Sequence, residues 1–422
     1  MAAEPVKPLI NKGLRASRPF VLEVSLLSSV TVWDHQEVRS PQRSKVQDLK
    51  QSNVRILIDY RPALHQPTGV GEHTRNLSRA IAAEGSYRDV SVTIFSSSLR
   101  HRLPPETLDN AHVVDRRIPV RCLNWLWHNV EWPSIELLAG QYDVVHSPHP
   151  LMIPSRHAAC FVTIHDLYFL NHPDHTSAEI RSDYPALAEQ HATRADGVIV
   201  PSRYTASLVN KQLGIPMERI ILCANGAPTW TPRSTPAYKG HILFVGSIEP
   251  RKNLPALLRA YRSLINHRPD TPELVLAGQI SQTGLDELKE LEVSSLNNKV
   301  RVLGYVSRDQ CYKLYRRASM VVLPSLDEGF GLPALEAMTV GVPVVAANRG
   351  ALPETVGDAG SLVDPEDESA IETSMARILD DRQYANRNIA RGLIQAQAYN
   401  WDKSARILLA AYESAVRRRR GL

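Results

Sequence analysis

The sequence lacks the features that mark several common classes of protein. It contains no run of about eighteen apolar residues, the length that a helix needs to span a bilayer. Its four cysteines are scattered and form no C-x-x-C pair, which argues against a disulfide scaffold and a zinc site. Reduced thiols of this kind predict a cytoplasmic protein, and we expect no bound metal.

Motifs for other kinds of chemistry are absent as well. No G-x-S-x-G sequence indicates a serine hydrolase, and no G-x-x-x-x-G-K-[ST] sequence indicates a P-loop. Gly69 and Gly71 lack the third glycine of a dinucleotide-binding turn, because residue 74 is threonine. His146 and His149 have no carboxylate at metal-ligand spacing.

Basic and acidic residues nearly balance, with 49 Lys and Arg against 44 Asp and Glu and a formal net charge of +5. This excess permits a phosphorylated ligand or an anionic membrane face and predicts no nucleic-acid partner. Two segments hold clustered basic residues: Arg417–Arg420, and a stretch with Arg116, Arg117, Arg121, Trp125, Trp127 and Trp132. The second stretch is typical of peripheral contact with an anionic membrane, or of core tryptophans beside surface arginines.

The order of apolar runs predicts an α/β protein with two Rossmann-like, doubly wound domains. Residues 1–52 are interpreted as a disordered extension. In the first domain, residues 53–227, short apolar runs alternate with helical patterns, and the candidate strands are Val54–Tyr60, Val90–Phe95, Tyr142–His146, Cys160–His165, Gly197–Pro201 and Arg219–Cys223.

A proline-rich segment, residues 228–240, has no hydrophobic period and is interpreted as a linker. The α/β alternation then restarts over residues 241–396, with candidate strands His241–Ser247, Glu273–Ala277, Val300–Val306, Met320–Pro324 and Pro343–Ala347. Residues 397–422 are predicted to form a final helix with a basic tail. Two such domains predict a cleft between the carboxyl ends of their strands.

The most informative segment is L-P-S-L-D-E-G-F-G-L-P-A-L-E-A-M, residues 323–338. A buried strand, a loop with glycines and a helix with proline in its first turn predict an anion site at the free amides of Phe330, Gly331 and Leu332. Glu328 and Glu336 flank these amides and are acceptors for sugar or ribose hydroxyls. Either carboxylate alone is more typical of a solvated surface charge.

Three other segments end or follow predicted strands. Arg251 and Lys252, in E-P-R-K-N, are suited to neutralising a diphosphate, although an exposed basic turn is the alternative. Gly69 and Gly71 allow close approach of a ligand at the start of a helix. His165 and Asp166 end another strand, where they bind a substrate or form a structural pair; His146 lies at a similar position.

These segments, with Asn225-Gly226, resemble the retaining, GT-B-fold glycosyltransferases of family four (group 1), in particular a bacterial mannosyltransferase-like branch. The resemblance runs from about Val54 to Tyr412. It implies transfer of a hexose, with mannose from GDP-mannose as the first expectation, to a saccharide or polyprenyl-linked acceptor in cell-surface polysaccharide synthesis. It also implies that the final helix crosses back to the first domain.

The resemblance further implies a role for each site residue. Arg251 and Lys252 stabilise the departing diphosphate, Glu328 holds the donor sugar, and His165 lies near the transferred sugar. The donor-binding residues are Gly69, Gly71, Ser247, Phe330, Gly331, Leu332 and Glu336. Ser247 stands where some relatives carry an arginine, so Arg251 is expected to take over that function. His146 and Asp166 are placed on the acceptor side. No cofactor or metal is expected.

Two other interpretations remain open at this point. A nucleotide-sugar 2-epimerase has the same two-lobed fold, although the Glu328 and Glu336 motif fits it less well. A basic protein that binds a membrane or nucleic acid would owe its affinity to the Arg417–Arg420 run and would show strong salt dependence. For the enzyme, the expected location is the cytoplasm, at the inner face of the plasma membrane.

Overall fold

The structure is a computed structural model. It describes residues 54–64, 69–172, 178–281, 284–292, 296 and 298–421. The predicted extension over residues 1–52 and the Thr68 end of the first glycine motif lie outside these residues.

The first lobe is built on a parallel sheet of seven strands within the described residues. Its spatial order is β3-β2-β1-β4-β5-β6-β7, and Ile58 at the centre pairs with Ile94 on one side and His146 on the other. The strands are β1 Val54–Asp59, β2 Val90–Ser97, β3 Ala111–Arg116, β4 Val144–Ser147, β5 Ala159–Thr163, β6 Gly197–Val200 and β7 Ile220–Leu222.

Helices cover both faces of this sheet, as parallel strands require. They are α1 Gly69–Gly85, α2 Val120–Asn129, α3 Ile135–Ala139, α4 Tyr168–Asn171, α5 Ala178–Arg194 and α6 Arg203–Leu213. Helix α6 shows why the boundaries fall where they do: the Ser202 side chain caps its first turn, and Gly214 ends it in the left-handed conformation.

The second lobe repeats the plan with six parallel strands among the described residues, in the order β10-β9-β8-β11-β12-β13. The strands are β8 His241–Val245, β9 Leu274–Ala277, β10 Val300–Gly304, β11 Ala318–Leu323, β12 Val344–Ala347 and β13 Ser361–Val363. Its helices are α7 Leu254–His267, α8 Gly284–Glu292, α9 Arg308–Arg317, α10 Leu332–Val340, α11 Leu352–Val356, α12 Glu368–Asp380 and α13 Arg382–Gln397, and α14 Trp401–Arg420 follows them.

In both sheets the spatial order of the parallel strands therefore reverses at the same point, the strand reversal, between the first and the fourth strand of the lobe. Open α/β sheets bind ligands outside the carboxyl ends of their strands at such a reversal. In the second lobe this point lies between the ends of β8 and β11, directly before Arg251 and Glu328. The fold is the two-lobed GT-B arrangement that the sequence predicts.

The final helix, α14, packs on the first lobe although it follows the second in sequence. Leu408, Leu409 and Tyr412 join the cluster formed by Ile56 and Phe161 of the first sheet, and all five side chains are buried. Because this helix links the end of the second lobe to the core of the first, it restricts how the two lobes can separate.

Most predicted elements are confirmed within one to three residues at each end. Ser307 and Gln310 form a capping box at the start of α9, and Gly341 ends α10. Two strands, β3 and β13, were not predicted. Both lie at sheet edges: β3 is half polar, with His112, Asp115 and Arg116 among its six residues, and β13 has three residues. Neither presents the continuous apolar run of a central strand.

Candidate active site

A buried ion pair lies at the strand reversal of the second sheet. Lys252 ends a 3-10 turn after β8, and Glu328 lies in the loop after β11. Their Nζ and Oε1 atoms are 2.5 Å apart, and Ser325 Oγ donates to the same carboxylate oxygen at 3.0 Å. The main-chain bond from Leu326 N to Arg251 O, 2.8 Å long, ties the two loops together.

Arg251 lies beside this pair and is surrounded by carboxylates. Its Nε donates to Glu249 Oε1 at 2.8 Å, and its Nη1 lies 3.3 Å from Glu328 Oε2. The same Nη1 lies 3.8 Å from Asp166 Oδ2, which belongs to the first lobe. The guanidinium thus faces the cleft and contacts both lobes.

These contacts determine the protonation of the cluster. Burial by itself would raise the pKa of the Glu328 carboxyl, but Lys252 and Arg251 hold that pKa below its ordinary value. Burial would lower the pKa of Arg251, but Glu328, Asp166 and Glu249 raise it overall. Glu328 and Arg251 therefore both carry their charge at neutral pH.

The second motif carboxylate, Glu336, lies one helical turn into α10 and has different partners. Tyr315 Oη donates to its Oε2 at 2.9 Å, and Arg308 Nη1 donates to its Oε1. Arg308 also lies 3.5 Å from Glu72 Oε2 of α1 in the first lobe, and its guanidinium is 4.3 Å from the ring centroid of Trp230. Glu336 therefore lies beside a second cationic contact between the lobes.

The first lobe contributes two histidines whose rings contact each other. His165 Nε2 lies 3.1 Å from Pro148 O, and its ring meets that of His73 edge-on with centroids 4.7 Å apart. His73 Nδ1 lies 2.6 Å from Asn225 Oδ1. Burial lowers the pKa of both rings, His73 strongly. We therefore expect both imidazoles to be neutral at pH 7.

Two helices begin opposite each other in the cleft. Gly69 is the first residue of α1 and Leu332 the first of α10, and a Cβ on Gly69 would lie 4.0 Å from Leu332 Cδ1. Gly331, with φ of 94°, precedes α10 in a conformation that favours glycine. The positive ends of both helix dipoles therefore meet at one place, which favours an anion there.

The remaining residues that were predicted to bind the donor differ in how deeply they are buried. Gly71 is buried within the first turn of α1, and Ser247 is half-buried just after β8. The Phe330 side chain is buried, with its ring edge-on to Tyr399 at 5.4 Å. Only its main chain is thus placed to face a ligand.

His146 does not lie where we expected it. It is fully buried, with Nε2 2.8 Å from Thr163 Oγ1 and Nδ1 2.8 Å from Tyr412 Oη. Both ring nitrogens are used inside the protein, to join β4, β5 and α14. This position corrects the expectation that His146 faces an acceptor, whereas Asp166, 3.8 Å from Arg251, does border the cleft.

The tryptophans of the basic stretch 116–132 differ in exposure, so each of the two interpretations applies to some of them. Trp127 is buried, donates to Pro133 O and lies under the Arg61 guanidinium. Trp125 and Trp132 are 60% and 53% exposed. In the described ranges, no helix combines the length and the apolar character that crossing a bilayer requires.

Comparison with known proteins gives the family. The model of glycosyl transferases group 1 matches residues 233–393, and that of glycosyltransferase family 4 matches residues 67–231. O-antigen chain mannosyltransferase B of Escherichia coli is 33% identical over 284 residues, which is 64% of this chain and 74% of that protein. The chain belongs to the group 1, family 4 glycosyltransferases.

Solved structures of other proteins have the same fold as this glycosyltransferase. Sucrose-phosphate synthase from Thermosynechococcus elongatus aligns with a TM-score of 0.69 at 22% identity, over 86% of this chain and 98% of that one. Anabaena HepE in complex with UDP and glucose aligns with a TM-score of 0.62 at 20% identity, over 86% and 100%. At these identities the likeness concerns the GT-B fold alone.

Several residues of this glycosyltransferase site were missed in the sequence. Arg308 and Tyr315, the partners of Glu336, lie on α9, and Ser325 lies in the loop of Glu328. A signal for Arg308 is present, because it directly follows Ser307, which forms a capping-box pattern with Gln310 three residues later. A cation in the first turn after a strand end faces the cleft. Tyr315 gave no such signal.

Proposed function

We propose that this glycosyltransferase is a retaining enzyme that transfers mannose from GDP-mannose to a saccharide or polyprenyl-linked acceptor in cell-surface polysaccharide synthesis. The supporting observation is the cluster of Arg251, Lys252 and Glu328 at the strand reversal of the second sheet, facing Asp166 of the first. The relative named as an O-antigen chain mannosyltransferase supports the choice of sugar and pathway class.

The reaction breaks the bond between the anomeric carbon and the diphosphate. The departing diphosphate gains negative charge, which Arg251, Lys252 and the amino end of α10 stabilise. The acceptor hydroxyl attacks from the face that the diphosphate leaves, and a phosphate oxygen takes its proton. A new glycosidic bond of unchanged configuration and a free nucleoside diphosphate result.

The carboxylates complement these cations. Positive charge develops on the sugar as its bond to the diphosphate breaks. The carboxylates of Glu328 and Asp166, which both lie near Arg251 Nη1, attract this charge. Glu328 also accepts hydrogen bonds from sugar hydroxyls, and Glu336, on α10, accepts them from the ribose. We propose that these protein charges suffice without a metal ion, which a chelator added to the assay would test.

The deciding experiment is a ligand screen on the purified full chain. Thermal shifts with GDP, UDP, ADP and their hexose derivatives identify the base, and we expect the largest shift with GDP-mannose. Release of GDP from GDP-mannose then measures turnover, and NMR of the product measures its configuration. A product with the inverted configuration would contradict a retaining mechanism, and a larger shift with UDP-glucose would contradict the proposed donor.

We also propose that the enzyme acts at the inner face of the plasma membrane through a peripheral contact. Trp125 and Trp132 are the exposed aromatic residues of the basic stretch, and Val130 and Leu137 nearby are 53% and 63% exposed. Arg419 and Arg420 are less available than the sequence suggested, because they pair with Asp196 and Asp143. Absence of sedimentation with anionic liposomes at low salt would count against this contact.

The two other interpretations are not favoured. The family models and the relatives reported above are glycosyltransferases rather than epimerases. A basic binding protein has no need for Lys252 and Glu328 buried as an ion pair at the end of a cleft.

A further inference from the structure

The amino end of α6 lies where the two lobes touch. Ser202, which is 1% exposed, caps the helix by accepting a hydrogen bond from Thr205 N at 3.0 Å. The Ser202 hydroxyl also donates to Gly329 O at 2.7 Å. Gly329 directly follows Glu328 in the second lobe. A capping residue of the first lobe thus binds the loop that carries a candidate catalytic carboxylate.

Thr205, one turn along the same helix, is fully buried at this contact. Its Oγ1 lies 3.2 Å from Gly329 O and 3.3 Å from His165 O. One hydroxyl proton serves both carbonyls, which belong to different lobes. Thr205 therefore lies between the main chain of the His165 segment and that of the Glu328 segment.

Two further observations show how close this approach is. A Cβ on Gly329 would lie 1.8 Å from His165 O, so the two main chains meet without space for a side chain. The Glu354 carboxylate of the second lobe also accepts from Arg203 N at 2.9 Å and from Tyr204 N at 3.4 Å. A carboxylate is stabilised there by the helix dipole of α6.

We propose that Ser202 and Thr205 are positioning residues of the transferase: their hydroxyls hold the Gly329 carbonyl, and with it the Glu328 side chain, against the His165–Asp166 segment. The first lobe then completes the site for the donor sugar, although the sugar-binding loop belongs to the second. This inference rests on the proposed function for the identity of the sugar, but the contact itself does not.

The placement predicts a selective effect. Gly329 adjoins Glu328, which the proposed function assigns to the sugar, whereas Glu336 is fixed within α10 by Tyr315. Loss of the two hydroxyls should therefore weaken the positioning of the donor sugar and leave the binding of the nucleoside half of the donor unchanged. If α6 had only a structural role, the loss of the hydroxyls would weaken the binding of the sugar and of the nucleoside together.

The test compares two double variants of the full chain. S202G/T205V removes both hydroxyls; glycine keeps most of the capping preference and valine keeps the shape of threonine. S202T/T205S retains both hydroxyls. The matched control is S207A, on the same helix, since Ser207 is half-buried and outside the contact. If S202G/T205V does not fold, T205V alone is measured in its place with the same criteria.

The first measurement is hydrogen exchange of the segment 326–332 without any ligand. A buried carbonyl without its donors is costly, so we expect exchange in S202G/T205V to be about tenfold faster, with no change in S202T/T205S or S207A. Unchanged exchange in S202G/T205V overturns the inference, whatever the enzyme's substrate is.

The second measurement uses GDP and GDP-mannose as probes. We expect the Kd of GDP to stay within about twofold and GDP release from GDP-mannose to fall about tenfold in S202G/T205V. An equal loss for both probes overturns the inference. Faster exchange together with no binding of GDP-mannose to the unaltered chain supports the positioning role and refutes the proposed donor, so the two failures are distinguishable.

Discussion

The two lobes share a strand order, but they present different chemistry to the cleft. In the second lobe the residues after β8 and β11 are charged and paired, as in Arg251, Lys252 and Glu328. In the first lobe the corresponding edge carries His73 and His165, whose pKa values burial lowers. The second lobe therefore holds the cations of the site, whereas the first offers neutral imidazoles beside the carboxylates Asp166 and Glu72.

This difference matches the two halves of a glycosyl transfer. The diphosphate gains a full negative charge as it leaves, and fixed cations stabilise it best where water is excluded. The acceptor and the sugar present neutral hydroxyls, which a neutral imidazole can bind without the cost of burying an ion. The comparison therefore predicts that removing charges in the second lobe affects catalysis most, while the first-lobe histidines affect mainly pH-dependent stability and positioning.

The largest effect is expected for Lys252. K252M should lower turnover by about 10²–10³-fold, because a fixed cation no longer faces the leaving group. It also leaves the buried Glu328 with one cation fewer and lowers the free energy of unfolding. GDP release and urea unfolding measure the two effects.

The double variant K252M/E328Q separates these two effects. Without an uncompensated carboxylate, it should regain stability relative to K252M but no turnover. The control is K313M, which removes an exposed lysine of the same lobe and should change neither quantity. Turnover that returns with stability would show that Lys252 has only a structural role.

The second effect concerns protons in the first lobe. Burial lowers the pKa of His146 to about 3, whereas an unfolded histidine titrates near its ordinary value of 6.5. Between these values the unfolded state binds the extra proton, so stability falls as the pH falls. At pH 4 the loss relative to pH 7 should be about 3 kcal/mol from this residue alone.

The variant H146Q should flatten that dependence between pH 4 and about pH 6.5. Urea unfolding at several pH values measures it. H157Q is the control, because His157 is exposed on the same lobe. An equally steep fall in H146Q and in the unaltered chain would show that His146 is not the group responsible.

These residues also show how far the sequence could be read. Continuous apolar runs identified the central strands, and the E-G-F-G motif together with Arg251 and Lys252 identified the charged end of the second lobe. Side-chain direction was not accessible in the same way. His146 is the last residue but one of β4 and His165 follows β5, yet one ring turns into the core towards Tyr412 and the other lies beside the cleft.

Contacts between the lobes were equally inaccessible. Gly329 belongs to the loop with glycines that the sequence predicts before α10. The structure shows that a Cβ at this position would lie 1.8 Å from the carbonyl oxygen of His165, more than 160 residues earlier in the sequence. Ser202 and Glu354 look like an ordinary helix cap and an ordinary surface acid until both lobes are in place. Local sequence patterns predict the helices and strands and where they end, but they do not predict which surfaces of the two lobes come into contact.

A third prediction tests this meeting of the lobes. G329A places a Cβ 1.8 Å from His165 O and 3.1 Å from Asp166 Cβ, so the lobes must shift apart. We expect turnover to fall about 10-fold to 100-fold, with GDP affinity changing far less. Small-angle X-ray scattering should show a larger radius of gyration.

The control for this prediction is G85A, at the end of α1, where an added Cβ makes ordinary contacts at 3.5 Å. If G329A kept both its turnover and its radius of gyration, the closed contact between the lobes would not be the active arrangement.

The smallest effect is expected at Glu336, where we propose that the ribose of the donor binds. Y315F removes the hydroxyl that donates to Glu336 Oε2 but leaves Arg308 on Oε1. One hydrogen bond contributes about 1 kcal/mol, so the Kd of GDP should rise by about threefold to tenfold while kcat stays nearly constant. Y312F is the matched control, since its hydroxyl donates to Thr231 O and not to the site. Tyr315 Oη contacts Glu336 and the Pro333 carbonyl of the same helix, α10. A fall in kcat with unchanged GDP affinity would therefore place Glu336 at the reacting sugar instead of the ribose, and the two motif carboxylates would then share one function.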